Sequence, residues 1–166
     1  RVGTETKRAC WRCRLETNFY ARHFNKVMTL MGLGFISFFG IALFAILFGW
    51  TDHLLKNEVG RLILRLIRWG GVEPHAEHYE AMISIIYVVW GWFLLKIAKF
   101  PEKNIAFLDF TAIANMGHFG LMTAMALVMP NEKIHLLGDL LLGWSILVLF
   151  IVFWLPTRRS ILQETQ

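Results

Sequence analysis

The side chains in this chain able to do more than pack are few, and His118 stands deepest among them. It lies in Asn115-Met116-Gly117-His118-Phe119-Gly120, near the middle of an apolar run from Ile105 to Met129. An ionisable group at bilayer depth is costly and normally faces a bundle interior or a cavity. Glycines at i−1 and i+2 remove bulk near the imidazole, which suits three arrangements. One is close packing of a neighbouring helix on a neutral, hydrogen-bonded histidine. Another is axial ligation of a haem or chlorophyll-like macrocycle, with Asn115 as a nearby hydrogen-bond donor. The third is a proton-relay or metal site.

Polar residues also gather on one side of that depth. His75, His78, Tyr79 and Glu80 form the cluster H-A-E-H-Y-E, and Glu77 and Glu80 suit the start of a helix. His135 and Asp139 are spaced i, i+4 and share a helix face. His75, His78, Glu80, His135 and Asp139 are therefore the candidate metal or proton cluster. With His118 they form a ladder that relays protons, binds a cation or glues helices together. No nucleophile with its base, and hence no catalytic set, stands out.

Cys10-Trp11-Arg12-Cys13 is a CxxC flanked by Arg8 and Arg14. Neighbouring cations favour the thiolate, but half a zinc site needs a second ligand pair and only His23 is near. A c-type haem attachment requires His at position 14, which is Arg. The expectation is a reduced thiol pair in a basic arm.

These residues must be positioned by apolar helices. The chain has 166 residues, 56% hydrophobic and only 17% charged, with mean hydropathy +0.50. Soluble domains carry about 25% charge, so this composition excludes an ordinary soluble enzyme, a disordered tail and a disulfide scaffold. Predominantly apolar runs long enough to cross a ~30 Å hydrocarbon core lie at about 27–50, 80–98, 105–129 and 134–155, the first of them free of charge. The expected fold is all-α: an integral membrane four-helix bundle (27–166) preceded by a basic arm (1–26). The chain begins with Arg, so a removed or missing leading segment is an open possibility.

Between the first two spans, about 54–69, Arg61, Arg65 and Arg68 recur at i, i+4 and i+7, with Leu62, Ile63, Leu66 and Ile67 opposite and Trp69 closing the segment. That pattern predicts an amphipathic helix in the membrane interface, anchored in lipid or docked on a partner. Lys and Arg count twelve on the side of the termini and the 96–103 turn, against five on the other. The positive-inside rule then puts both termini on the cytoplasmic, matrix or stromal side of a bacterial or organellar inner membrane. A net charge of +5 thus encodes orientation rather than nucleic-acid binding.

The stretch from Glu73 to Pro156 resembles a bacterial family of small four-helix membrane proteins, a domain of unknown function. The resemblance rests on Tyr79-Glu80, Met82, Ile86-Tyr87, Gly91, Phe93-Leu94-Leu95, Phe110-Thr111, His118, Met122, His135-Leu136 and Gly138-Asp139. It implies an integral bundle and transfers no activity. Small size, the missing catalytic set and seven tryptophans suited to interfaces favour an accessory subunit of a larger membrane complex, with other membrane subunits and bound lipids as partners. The alternatives are a cofactor protein built on His118 and a small proton- or metal-coupled transporter.

Overall fold

The computed structural model describes residues 19–69 and 76–163. Four long helices dominate: α1 (Phe19–Leu47), α4 (Ala76–Ile97), α5 (Ile105–Val128) and α6 (Asp139–Gln163), with the short α2 (Trp50–Leu54) and α3 (Glu58–Ile67) between the first two. At 1.5 Å per residue, even the 22 residues of α4 reach about 33 Å, slightly more than a ~30 Å core. All four are long and apolar enough to cross a membrane.

The helices run up and down in a ring. The α1 helix packs on α4 and α6, and α5 packs on α6. Hydrogen bonds from Tyr87 and Trp90 to Asn115 and Thr111 link α4 to α5. We call proximal the end where α1 begins, α4 turns into α5 and α6 ends; α2, α3 and the α5–α6 turn form the distal end. The larger core holds Phe24, Met28, Met31, Phe35, Leu94, Leu108, Phe150 and Trp154. A smaller distal one is built on Phe119, Ala126, Leu140 and Leu147.

The tightest approach is between α1 and α4. A Cβ at Gly32 would meet the Gly91 carbonyl at 2.8 Å, and one at Gly91 the Gly32 carbonyl at 2.6 Å. Two glycines facing each other let the backbones touch.

Several boundaries differ from the expected ones. The α1 helix starts at Phe19 rather than Val27, and Phe24 is fully buried against Phe150 and Trp154. Polar residues from Tyr20 to Lys26 hid this extra helix, because its apolar positions continue the bundle-facing stripe only once per turn. The helix expected over 54–69 is shorter, Glu58–Ile67, with Asn57 capping it by accepting a hydrogen bond from the Gly60 N–H at 2.6 Å. Residues Glu132–Leu137 form a 3₁₀ turn, so the last helix begins at Asp139 rather than Ile134. It then runs through Pro156 to Gln163. Proline removes one donor and strains the turn before it, but packing of Trp154, Thr157 and Ile161 holds both sides.

The α3 helix divides its surface three ways. Gly60 and Leu64 are buried against the bundle; Val59, Leu62 and Ile63 are exposed apolar residues; Glu58, Arg61 and Arg65 form a separate exposed charged stripe. Arg68 leaves the expected arginine stripe and is buried. On the helical wheel it falls between the charged stripe and the bundle-facing one, and its partners, Glu77 and Glu80, lie on α4.

Candidate functional site

The distal end is closed by two polar clusters joined through Arg68-Trp69. In the first, Arg68 Nε is 3.0 Å from one Glu80 oxygen and donates to the other at 3.1 Å, while Nη2 is 3.1 Å from Glu77 Oε1. That last contact is close enough for ion pairing but off the donor axis, so Nη2 has no hydrogen-bond acceptor. Thr51 donates to the same Glu77 oxygen at 3.3 Å. The guanidinium side chain is 5% exposed and the two carboxylates 30% and 25%. A charge so placed is tolerated because it is paired on two sides.

In the second cluster the Trp69 indole N–H donates to Asp139 Oδ2 at 2.8 Å, and its ring stacks on His135 with centroids 4.2 Å apart. His135 Nδ1 is 2.9 Å from Asp139 Oδ1 and Nε2 is 3.0 Å from Glu132 Oε2. His135 is 1% exposed. The Asp139 contact is a hydrogen bond, whereas the Glu132 contact is within ion-pair distance only. Each ring nitrogen thus already faces a carboxylate of its own chain. Among the described residues no group of three His, Cys, Asp or Glu side chains has metal-site geometry.

The structure therefore brings His135 together with Asp139, and Glu80 with Arg68, as separate clusters. His78 and Tyr79 are exposed; His75, Cys10 and Cys13 lie outside the described residues. Arg61 and Arg65 are exposed, whereas Arg68 and Trp69 are engaged within the chain.

At mid-span the polar side chains are mostly consumed locally. Tyr87, buried and stacked on Phe39, donates to Asn115 Oδ1 at 3.3 Å. The Asn115 amide donates to the Thr111 carbonyl at 2.8 Å, and the Trp90 indole donates to the Thr111 hydroxyl at 3.0 Å. Asn115 is thus committed to Tyr87 and its own helix rather than to His118. The imidazole, about 20 Å along α5 from its start, touches Tyr87 and Phe119 at ring-centroid distances of 5.6 and 5.4 Å. It makes no hydrogen bond among the described residues, and its nitrogens are not sealed in the interior.

The neighbouring glycines do not clear space over that ring. At 100° per residue, Gly117 and Gly120 point about 100° and 200° around the helix from His118. A Cβ on either would meet nothing within 4 Å. They open the outer face of α5, with His118 at its edge.

Sequence reasoning missed the proximal clamp. Asp109 accepts from Arg158 Nε at 2.8 and 2.9 Å and from the Trp154 indole at 2.9 Å. An acidic residue inside a span needs a partner, and Arg158, at the matching end of the last helix, was the available cation.

No curated protein and no solved structure matches this chain. A family model described as a family of unknown function (DUF6632) matches residues 64–165, from one turn before Arg68 through the last helix, so that Arg68, Trp69, His118, His135 and Asp139 all lie inside the match. The chain belongs to that family.

Proposed function

We propose that this protein is an accessory, non-catalytic subunit of a larger membrane assembly, and that its α5 outer face receives a transmembrane helix of a partner subunit. The carrying observation is His118: an imidazole at mid-span with no hydrogen-bond partner among the described residues, on the edge of a helix face whose two glycines pack against none of them. A polar group facing hydrocarbon is unfavourable until something supplies its hydrogen bond. Glycine costs a helix about 1 kcal/mol relative to alanine, and here no contact among the described residues offsets it. A second helix centred on Gly117, with Gly120 on one flank of the contact and a polar side chain reaching His118 on the other, answers both. The remaining buried polar groups of the bundle support the reading, since nearly all are spent on internal hydrogen bonds and ion pairs.

The orientation expected from lysine and arginine placement completes the proposal: an inner membrane of a bacterium or organelle, with the proximal end on the cytoplasmic or matrix side. The test is purification from native membranes in a gentle detergent, with absorbance read from 350 to 900 nm and co-eluting proteins identified. Stoichiometric recovery with another membrane protein, lost in Gly117→Leu and Gly120→Leu variants that still fold, is the expected result. A lone 19 kDa species carrying a chromophore that His118→Ala removes would replace this reading with haem- or chlorophyll-like ligation. A lone, colourless species overturns both.

A further inference from the structure

The proximal end carries a second feature that the partner-subunit reading does not use. Between the start of α1, the α4–α5 turn and the end of α6 lies a crevice of about 180 Å³, lined by Arg22, Asn25, Lys99, Glu102 and Thr157 among others. At ~30 Å³ per water-sized group it accommodates about six such groups, the scale of a small headgroup. Asn25 also lines a shallower groove of about 320 Å³ that continues along α1 past Thr29 to Leu30 and Leu33. Both leucines are half exposed.

The charges in the crevice are unusual because they do not pair with one another. Arg22 and Lys99 make no ion pair among the described residues, and neither does Glu102. Glu102 Oε2 is closed off from solvent and receives no hydrogen bond; its other oxygen is not closed off, and the side chain borders the crevice. A partly desolvated carboxylate with no donor of its own favours a cation that can donate. Two cations beside it favour an anion. The crevice thus asks for a ligand with both charges close together and an apolar tail to follow the leucines.

The geometry points to a bilayer lipid with a phosphoethanolamine headgroup as the occupant of this crevice. Its phosphate sits against Arg22 and Lys99, and its ammonium, two carbons away from the phosphate ester, donates to Glu102. One acyl chain lies along Leu30 and Leu33 on the apolar face of α1. Phosphocholine fills the same space but its trimethylammonium cannot donate; phosphoglycerol carries no cation and is repelled by Glu102. The site therefore selects among lipids by the headgroup amine and not by net charge.

The test is native mass spectrometry of the detergent-purified full chain titrated with dioleoyl lipids bearing ethanolamine, choline or glycerol headgroups. The ethanolamine lipid is expected to be retained about tenfold better than the other two, the scale of one charge-assisted hydrogen bond. Glu102→Gln should lower its retention to the choline level, and Lys99→Gln, at an exposed position, should weaken all phosphate-bearing lipids alike. Equal retention of the three by the wild type overturns the proposal. So does an ethanolamine preference that survives Glu102→Gln, or a preference for the glycerol headgroup, which would mark a merely basic surface. Circular dichroism and a monodisperse elution profile establish that each variant is folded before it is scored.

Discussion

Gly138 lies directly against the Leu66 carbonyl: a Cβ at 138 would come within 2.0 Å of that oxygen, in backbone-to-backbone contact between the α5–α6 turn and the end of α3. Gly60 stands in the same relation to the Leu54 carbonyl, at 2.1 Å. The α3 helix is therefore held at both ends by backbone contact, and this is what brings Arg68 and Trp69 to their partners across the distal end.

Substituting either glycine should be felt immediately. Gly138→Ala forces α3 away from the bundle and is expected to cost about 1–3 kcal/mol, the range for overpacking a close contact. The Trp69 indole then loses Asp139, so an indole ring signal perturbed in the wild type should revert toward that of an exposed tryptophan. Gly117→Ala in α5 is the control. With nothing within 4 Å of the new Cβ, it should leave the purified chain unchanged or slightly more stable.

Breaking the first cluster from its centre should cost more than breaking it from the edge. Arg68→Met leaves Glu77 and Glu80 facing each other without a cation, for which about 3 kcal/mol is expected, the lower end for a buried pair because both carboxylates keep partial exposure. Adding Glu77→Gln and Glu80→Gln to Arg68→Met should restore most of that loss. Denaturation in mixed micelles across the set measures the coupling. Simple additivity of the changes would show that the three residues do not act as a unit.

Four indole N–H groups are hydrogen bonded to another element: Trp69 to Asp139, Trp90 to Thr111, Trp144 to Thr123 and Trp154 to Asp109. Interhelical hydrogen bonds in membrane proteins average about 0.6 kcal/mol, reaching about 1.7. Trp154→Phe should sit near the upper value, because the acceptor is a carboxylate and the ring also stacks on Phe24. Trp50→Phe, at an exposed position outside this set, should fall within about 0.5 kcal/mol of wild type. Thermal unfolding of the two variants side by side checks the contrast.

The spans were legible because four long apolar runs admit little else, and α3 was legible from its arginine period. Helix ends were less so. The start of α1 carries polar residues on its outward side, and only the burial of Phe24 shows that it belongs to the bundle. Tryptophans were expected at interfaces and aromatic belts; among the described ones only Trp50 and Trp92 are well exposed, Trp92 beneath the Lys96 ammonium at 4.2 Å. Sequence spacing says that a residue is amphipathic but not which end is satisfied internally. His135 and Asp139 do meet, but across the junction of the 3₁₀ turn and α6 rather than on the single helix face that their i, i+4 spacing suggested. The histidine's contacts with Glu132 and Trp69 depend on the 3₁₀ turn and the α3 position, neither of which has a sequence period.

His118 separates stability from association. Among the described residues the imidazole makes ring contacts but no hydrogen bond, and in hydrocarbon its polar nitrogens are a cost. His118→Leu should therefore leave the thermal stability of the detergent-purified chain unchanged or raise it, since leucine fills comparable volume without a polar group. The same variant should lower recovery of the partner from native membranes several-fold, because the hydrogen bond offered to the incoming helix is gone. His118→Gln keeps a donor and an acceptor and should retain part of the association. A His118→Leu chain that is markedly less stable on its own, with recovery falling only in proportion, would place the imidazole in the service of its own bundle instead.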